Sequence, residues 1–261
     1  MSYHYLLDLA LILLSTKFLG IITGKFQMPR VVGSLLAGLV LGPAMLNVLA
    51  ETAFLSQLSE MGVIVILFTA GMGTDLRELR NAGKPGFFVA LCGVLVPMVM
   101  GTGFGFLAGR AGWLPGNTVL ENIFLGTVLT ATSVSITVET LRELGRLDTQ
   151  VGGTILAAAL IDDVLGLIAL TIVASFAGEG AGLLLVLVKI VLFFVFAIVA
   201  SALAIRFFRW MISHARGKNL RRYPVFAFVV CLLLSYCAEE FFGVADIIGA
   251  FVAGLIVAST P

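Results

Sequence analysis

Nine runs of apolar residues joined by short connections leave this chain little choice of solvent. They cover Tyr5–Thr23, Val31–Leu49, Leu55–Gly73, Pro85–Gly109, Leu120–Leu141, Gly152–Ala177, Leu183–Phe208, Tyr223–Phe242 and Asp246 to the end. A helix of about 20 apolar residues crosses the roughly 30 Å of hydrocarbon in a bilayer. With 60% hydrophobic and 12% charged residues, the chain departs from soluble domains, which are about 45–50% apolar and about 25% charged. The reading is an all-α polytopic membrane protein with no soluble domain of any size. Its 29 glycines fit close helix packing, since small residues let membrane helices approach. Pro29, Pro85 and Pro224 are expected near helix starts, where a missing N–H matters least. The last run has 16 residues before its end at Pro261, short for a crossing, so the chain is expected to be truncated in its ninth helix. Asp8 interrupts the first run and no small-residue cleavage site follows, which argues against a cleaved signal.

Charge orients the spans. The connections after spans one, three, five and seven hold 13 of the 16 basic residues, and the other connections hold only Arg110. By the positive-inside rule the odd connections are cytoplasmic and the N-terminus lies outside, in a cell's inner (plasma) membrane. Lys17 and Lys189 fall within spans and are read as snorkelling. The basic stretch Arg206–Arg222 reads as a topology signal that touches anionic membrane lipid, and no nucleic-acid partner is expected. Cys92, Cys231 and Cys237 lie in apolar runs without CxxC spacing and read as reduced core residues. His4 and His214 fall outside the runs, so no resident metal or cofactor is expected.

Within the sixth span, Ala157-Ala158-Ala159-Leu160-Ile161 leads into Asp162 and Asp163, and Val164-Leu165-Gly166-Leu167-Ile168 follows. A charge at the centre of a membrane helix costs about 2.5–3.5 kcal/mol on insertion scales, and such residues mark proton or cation paths. Adjacent helical positions point about 100° apart, so both acids can line one cavity wall without facing each other.

The fifth span holds Thr130-Ala131-Thr132-Ser133-Val134-Ser135-Ile136-Thr137. Hydroxyl and β-branched residues weaken helix formation, and their oxygens can satisfy freed backbone groups or coordinate a small cation. A helix broken there would aim partial charges from its two ends at the site. Beside the aspartates this reading is preferred over an intact helix whose hydroxyls bond back to carbonyls. An internal repeat adds a third signal: Val31–Val40 aligns without a gap on Ile247–Ile256, with Gly33, Ala37, Gly38 and Leu39 recurring as Gly249, Ala253, Gly254 and Leu255. Spans two and nine are an odd number apart and so would cross in opposite directions, the mark of inverted-topology repeats in secondary transporters. Common small-residue spacing is the alternative.

The run Thr130–Thr137, then Leu141-Arg142-Glu143-Leu144-Gly145, then Ala159–Leu167 with its paired aspartates resembles monovalent cation/proton antiporters of the NapA kind, in the superfamily that also holds NhaA and the Kef systems. The resemblance covers essentially the whole chain in span order. It implies an inverted-repeat antiporter fold of thirteen helices, about nine of them present. Residues 1–80 would be scaffold helices one to three that make a homodimer, and 81–178 the ion-binding core of helices four to six. Residues 179–222 would be the linker helix and basic loop, and 223–261 the start of the second repeat. The core would move like an elevator. Asp163 would alternate between cation and proton, and Asp162 would be its neighbour, paired in electrogenic members with a lysine on the tenth helix. Thr130, Thr132 and Ser133 would line the site at the helix break. The lysine and the second broken helix would belong to a missing C-terminal half.

The activity expected is exchange of sodium, or lithium or potassium, for protons by alternating access; the paired acids lean away from Kef-type potassium efflux. A potassium/proton antiporter and a truncated, non-transporting membrane subunit are the alternatives. An enzyme is not expected. An intramembrane aspartyl protease needs its two acids on facing helices sharing a proton, whereas these are adjacent on one. Gly103-Phe104-Gly105-Phe106-Leu107-Ala108 matches a nucleotide fingerprint in form, but no strand precedes it and helix packing is the better reading. Glu239, Glu240 and Asp246, at the ends of spans eight and nine, read as solvated loop charges rather than a cation funnel.

Overall fold

A computed structural model of the protein describes residues 4–74, 76–113, 118–176, 183–214 and 223–260. Among these the chain forms ten α-helices: α1 His4–Lys25, α2 Arg30–Leu41, α3 Ala53–Met72, α4 Leu76–Arg110, α5 Val119–Val128, α6 Val134–Glu143, α7 Gln150–Phe176, α8 Leu183–His214, α9 Tyr223–Cys237 and α10 Asp246–Ala258. A π-helical turn, Ala238–Phe242, continues α9. Six of the described helical stretches are long and apolar enough to cross a membrane. Leu14, Met100 and Ile198 on α1, α4 and α8 are each about 70% exposed, as lipid-facing side chains are.

Several boundaries differ from the hydropathy reading, for local reasons. The second span was expected to run to Leu49, but α2 ends at Leu41. Pro43 disfavours the helical region for Gly42, which is extended at ψ −177°. The fourth span was expected to start at Pro85, but α4 begins at Leu76 and carries Pro85 and Pro97 inside it. An interior proline removes a helical hydrogen bond, and here the helix continues because it packs along α5 and α7. α8 runs past the expected Phe208 to His214, so Arg206 and Arg209 sit on its last turns and not in a loop. His4 and His214, outside the apolar runs, are the first residue of α1 and the last of α8. Arg216, Lys218, Arg221 and Arg222 lie outside the described residues.

Lipid tails are as apolar as leucine, so helices associate in a membrane through close packing rather than escape from water. One close crossing joins α3 to α10. A β-carbon on Gly71 would overlap the Phe251 carbonyl, and one on Gly254 would overlap the Phe68 carbonyl. Leu67, Ala70, Val138, Cys231, Ala250 and Ala253 are fully buried around this crossing. A second cluster seats the π turn: Phe242 meets Phe193 of α8 edge-on at 5.8 Å, above buried Val244 and Ile248. Of the aligned glycines, the pair Gly33 and Gly249 plays the same part in both repeats. Gly33 presses on α1 at Leu19–Gly20, and Gly249 on α9 at Leu234–Ser235. Gly105 and Ala108 of the apparent nucleotide fingerprint are packing residues, Gly105 against Asn122 of α5 and Ala108 3% exposed.

Candidate ion-binding site

The fifth span is interrupted. α5 ends at Val128 and α6 begins at Val134, with Leu129–Ser133 between them. The chain leaves α5 through tight turns, Thr130 N–H to the Thr127 carbonyl at 3.1 Å and Ala131 N–H to the Val128 carbonyl at 3.4 Å. The hydroxyls then serve the freed backbone. Thr130 Oγ1 donates to the Thr127 carbonyl at 2.7 Å, and Thr132 Oγ1 to the Thr130 carbonyl at 3.3 Å. Ser133 is the N-cap of α6, accepting from Ile136 N–H at 3.4 Å. Of the two uses open to these oxygens, the structure shows the bonds to the backbone, and Thr130 and Thr132 make theirs as donors. The C-terminal end of α5 and the N-terminal end of α6, with their opposite partial charges, both meet the break.

α7 crosses beside this break and presents its two acids to different neighbours. Asp162 is 8% exposed. It faces α4, where a β-carbon on Gly93 would stand 3.5 Å from its Oδ1. One turn on, a β-carbon on Gly166 would stand 3.9 Å from Thr130 Oγ1. Residues four apart share a helix face, so Asp162 and the buried hydroxyl of Thr130 address the same side of α7. Thr132 and Ser133 are exposed.

Asp163 looks elsewhere. It lines a cavity of about 400 Å³ whose other wall is the π turn and the start of α10, at Glu239, Gly243, Val244 and Ile248. Its Oδ2 is buried and accepts no hydrogen bond from the described residues. Buried polar atoms are normally paired, so an orphan of this kind calls for an explanation. An oxygen in that state can take a proton or a cation, but not both at once.

Sequence reasoning placed Asp162, Asp163 and the interruption, ranked one residue low and missed one contact. Glu239, read as a solvated loop charge with a cation funnel as the alternative, is exposed but sits in the π turn and shares the cavity with Asp163. The signal was there: Glu239 falls in the last turn of an apolar span, not beyond it. The C-terminal end of α6 also reaches across to the first helices. Arg142 donates to Thr69 Oγ1 of α3 at 2.8 Å and pairs with Glu139 at 3.3 Å, and Glu143 accepts from the Arg30 N–H at the start of α2 at 2.6 Å.

Residues 10–261 match the family model described as sodium/hydrogen exchanger, transmembrane. Among similar proteins, the probable Na+/H+ antiporter GerT of Bacillus cereus is 39% identical over 260 residues, covering 97% of this chain and 65% of the relative. The Na+/H+-K+ antiporter GerN of the same organism is 38% identical over 262 residues, covering 100% of this chain and 65% of the relative. An Na+/H+ antiporter of Enterococcus hirae is 36% identical, covering 97% and 64%. The chain therefore spans just under two thirds of the length of these relatives. The solved structure of the sodium proton antiporter MjNhaP1 from Methanocaldococcus jannaschii superposes with a TM-score of 0.64 at 18% identity, covering 97% of this chain and 62% of that one. That likeness is one of fold.

Proposed function

Since the chain belongs to the sodium/hydrogen exchanger family, we propose that it exchanges a monovalent cation, sodium first, for protons across the plasma membrane, with Asp163 as the group that carries each in turn. The observation that carries this reading is the buried, unpartnered Oδ2 of Asp163 at the wall of a cavity. A carboxyl that holds a proton is a poor cation ligand, and a carboxylate that holds a cation is closed to a proton. If the site opens to one face at a time, each ion must leave before the other enters, and that exclusion is antiport. Asp162, set against the α4 backbone, and Thr130, Thr132 and Ser133 at the helix break would shape the site around the carrier.

The basic connections support an N-terminus outside. The resemblance to NapA-like proteins supports a homodimer made through α1–α3, with α4–α7 as the moving part. Potassium is the second reading, favoured by the similarity to a relative named as an Na+/H+-K+ antiporter. The test is proton flux in vesicles on addition of sodium, lithium or potassium, for the wild type and Asp163→Asn. Cation-dependent flux in the wild type, lost to background in a variant that still inserts and folds, is expected, and the response names the ion. Retained exchange in the variant would refute the role of Asp163. A folded wild type without flux would favour a non-transporting subunit.

A further inference from the structure

The cavity that holds Asp163 has a second carboxylate on its far wall. Glu239 is exposed and stands in the first turn of the π helix, which adds a residue to the turn and ends on Gly243 in the left-handed region at φ 64°. π-helical turns are rare and frequently sit at functional sites. Here the altered register, with Phe242 anchored on Phe193, sets Glu239 on the cavity wall. Its Oε2 accepts from the Asp246 N–H at 3.2 Å, which ties the carboxylate to the start of α10. Glu240, one residue on, is exposed and does not line the cavity. Among the described lining residues there are two carboxylates, no basic side chain, and otherwise apolar walls such as Leu167, Val244 and Ile248. Low-dielectric walls around charge of one sign focus the field and raise the local concentration of the opposite ion.

We propose that Glu239 is the access residue for the transported cation: it receives the ion at the mouth of this cavity and passes it to Asp163, on one face of the membrane only. The inference rests on the antiport reading and adds to it a specific entrance. Glu239 holds the cation in transit, and Asp163 alone exchanges it for a proton. Because the Glu239 carboxylate also caps α10, a purely structural role must be separable. Glu239→Gln keeps an oxygen for the Asp246 N–H and removes the charge.

The experiment uses the protein reconstituted in proteoliposomes of defined orientation, with sodium presented in turn to each face. In Glu239→Gln the apparent KM for sodium presented on the Gly243–Ala245 face rises about three- to fivefold, the scale of one partly exposed charge contact. The KM from the opposite face and the maximal rate stay at wild-type values, as does Glu240→Gln on both faces. The wild type alone gives an independent reading: added choline chloride raises its KM on the Gly243–Ala245 face, because salt screens exposed charge, and leaves the other face unchanged. Equal KM values in wild type and Glu239→Gln, a change of the same size on both faces, or the same effect from Glu240→Gln would each overturn the assignment while leaving antiport intact. Should Glu239→Gln fail to fold, a wild-type KM insensitive to salt on both faces overturns it equally. Absence of any cation-coupled flux in the wild type overturns the antiport reading, and the access role with it.

Discussion

At the scale of single residues, two glycines that occupy matched places in the repeat have opposite surroundings. Gly254 lies against the α3 backbone at Phe68 and Gly71, whereas no atom of another described element comes within 4 Å of where a β-carbon on its counterpart Gly38 would go. Adding a methyl where backbones touch forces them apart at about 1–3 kcal/mol. Adding one to an open helical site removes the glycine penalty of about 0.8–1 kcal/mol. Gly254→Ala is therefore expected to lower the melting temperature of the detergent-solubilised protein, and Gly38→Ala to leave it unchanged or raise it. Equal effects in a thermal unfolding assay would mean that the α3–α10 crossing does not carry the packing assigned to it. The repeat was legible in the sequence, but the alignment treats Gly38 and Gly254 as equivalent. Only neighbours from distant parts of the chain distinguish them.

Among the elements, the interrupted fifth span shows how hydroxyl residues stop and restart a helix. Its two halves are not capped alike. α5 starts with a full capping box, in which Thr118 Oγ1 accepts from the Glu121 N–H at 3.2 Å and Glu121 Oε2 accepts from the Thr118 N–H at 3.0 Å. α6 starts on Ser133 with a single, longer bond to Ile136 N–H at 3.4 Å. Losing an N-cap costs about 0.5–2 kcal/mol, and a reciprocal box satisfies two donors where a simple cap satisfies one. Thr118→Ala should therefore destabilise by about 1 kcal/mol or more and Ser133→Ala by about half that, as read from the shift in unfolding midpoint. A larger loss in Ser133→Ala would show that Ser133 holds more than the start of α6. The interruption could be read from Thr130–Ser133 because competition between side-chain oxygen and backbone is local. The early stop of α2 was equally local, written in Gly42-Pro43, but average hydropathy across Val31–Leu49 hid it.

For the molecule as a whole, α6 is the bridge between two groups of helices. It packs on α7 and also on α2 and α3, and its last turn sends Arg142 to Thr69 and Glu143 to the Arg30 N–H. If α4–α7 travel against α1–α3 during transport, as the antiport reading requires of an elevator, these bonds must break and reform in each cycle. With Cys92, Cys231 and Cys237 replaced, the pair Thr69→Cys and Arg142→Cys is expected to lose cation-coupled proton flux when joined by a short bifunctional thiol reagent. The uncoupled pair should retain flux, since surface contacts of this kind contribute only about 0–1 kcal/mol each. Full flux after complete cross-linking would show that α6 and α3 move together.

The sequence by itself determined the solvent, the order of the spans, the two acids within a span and the place where a helix breaks. Each of these follows from hydropathy, from local competition for hydrogen bonds, or from the energy of a charge in hydrocarbon, and all act within one segment. Only the tertiary structure decided that Asp162 faces Gly93 while Asp163 faces a cavity, and that Glu239 shares that cavity although it lies 76 positions along the chain. Side chains 100° apart on one helix meet different partners, and which partners those are depends on how α4, α9 and α10 pack around α7. That packing is set by close contacts between glycines and carbonyls of separate helices, and residue type and spacing along one strand of sequence do not encode it.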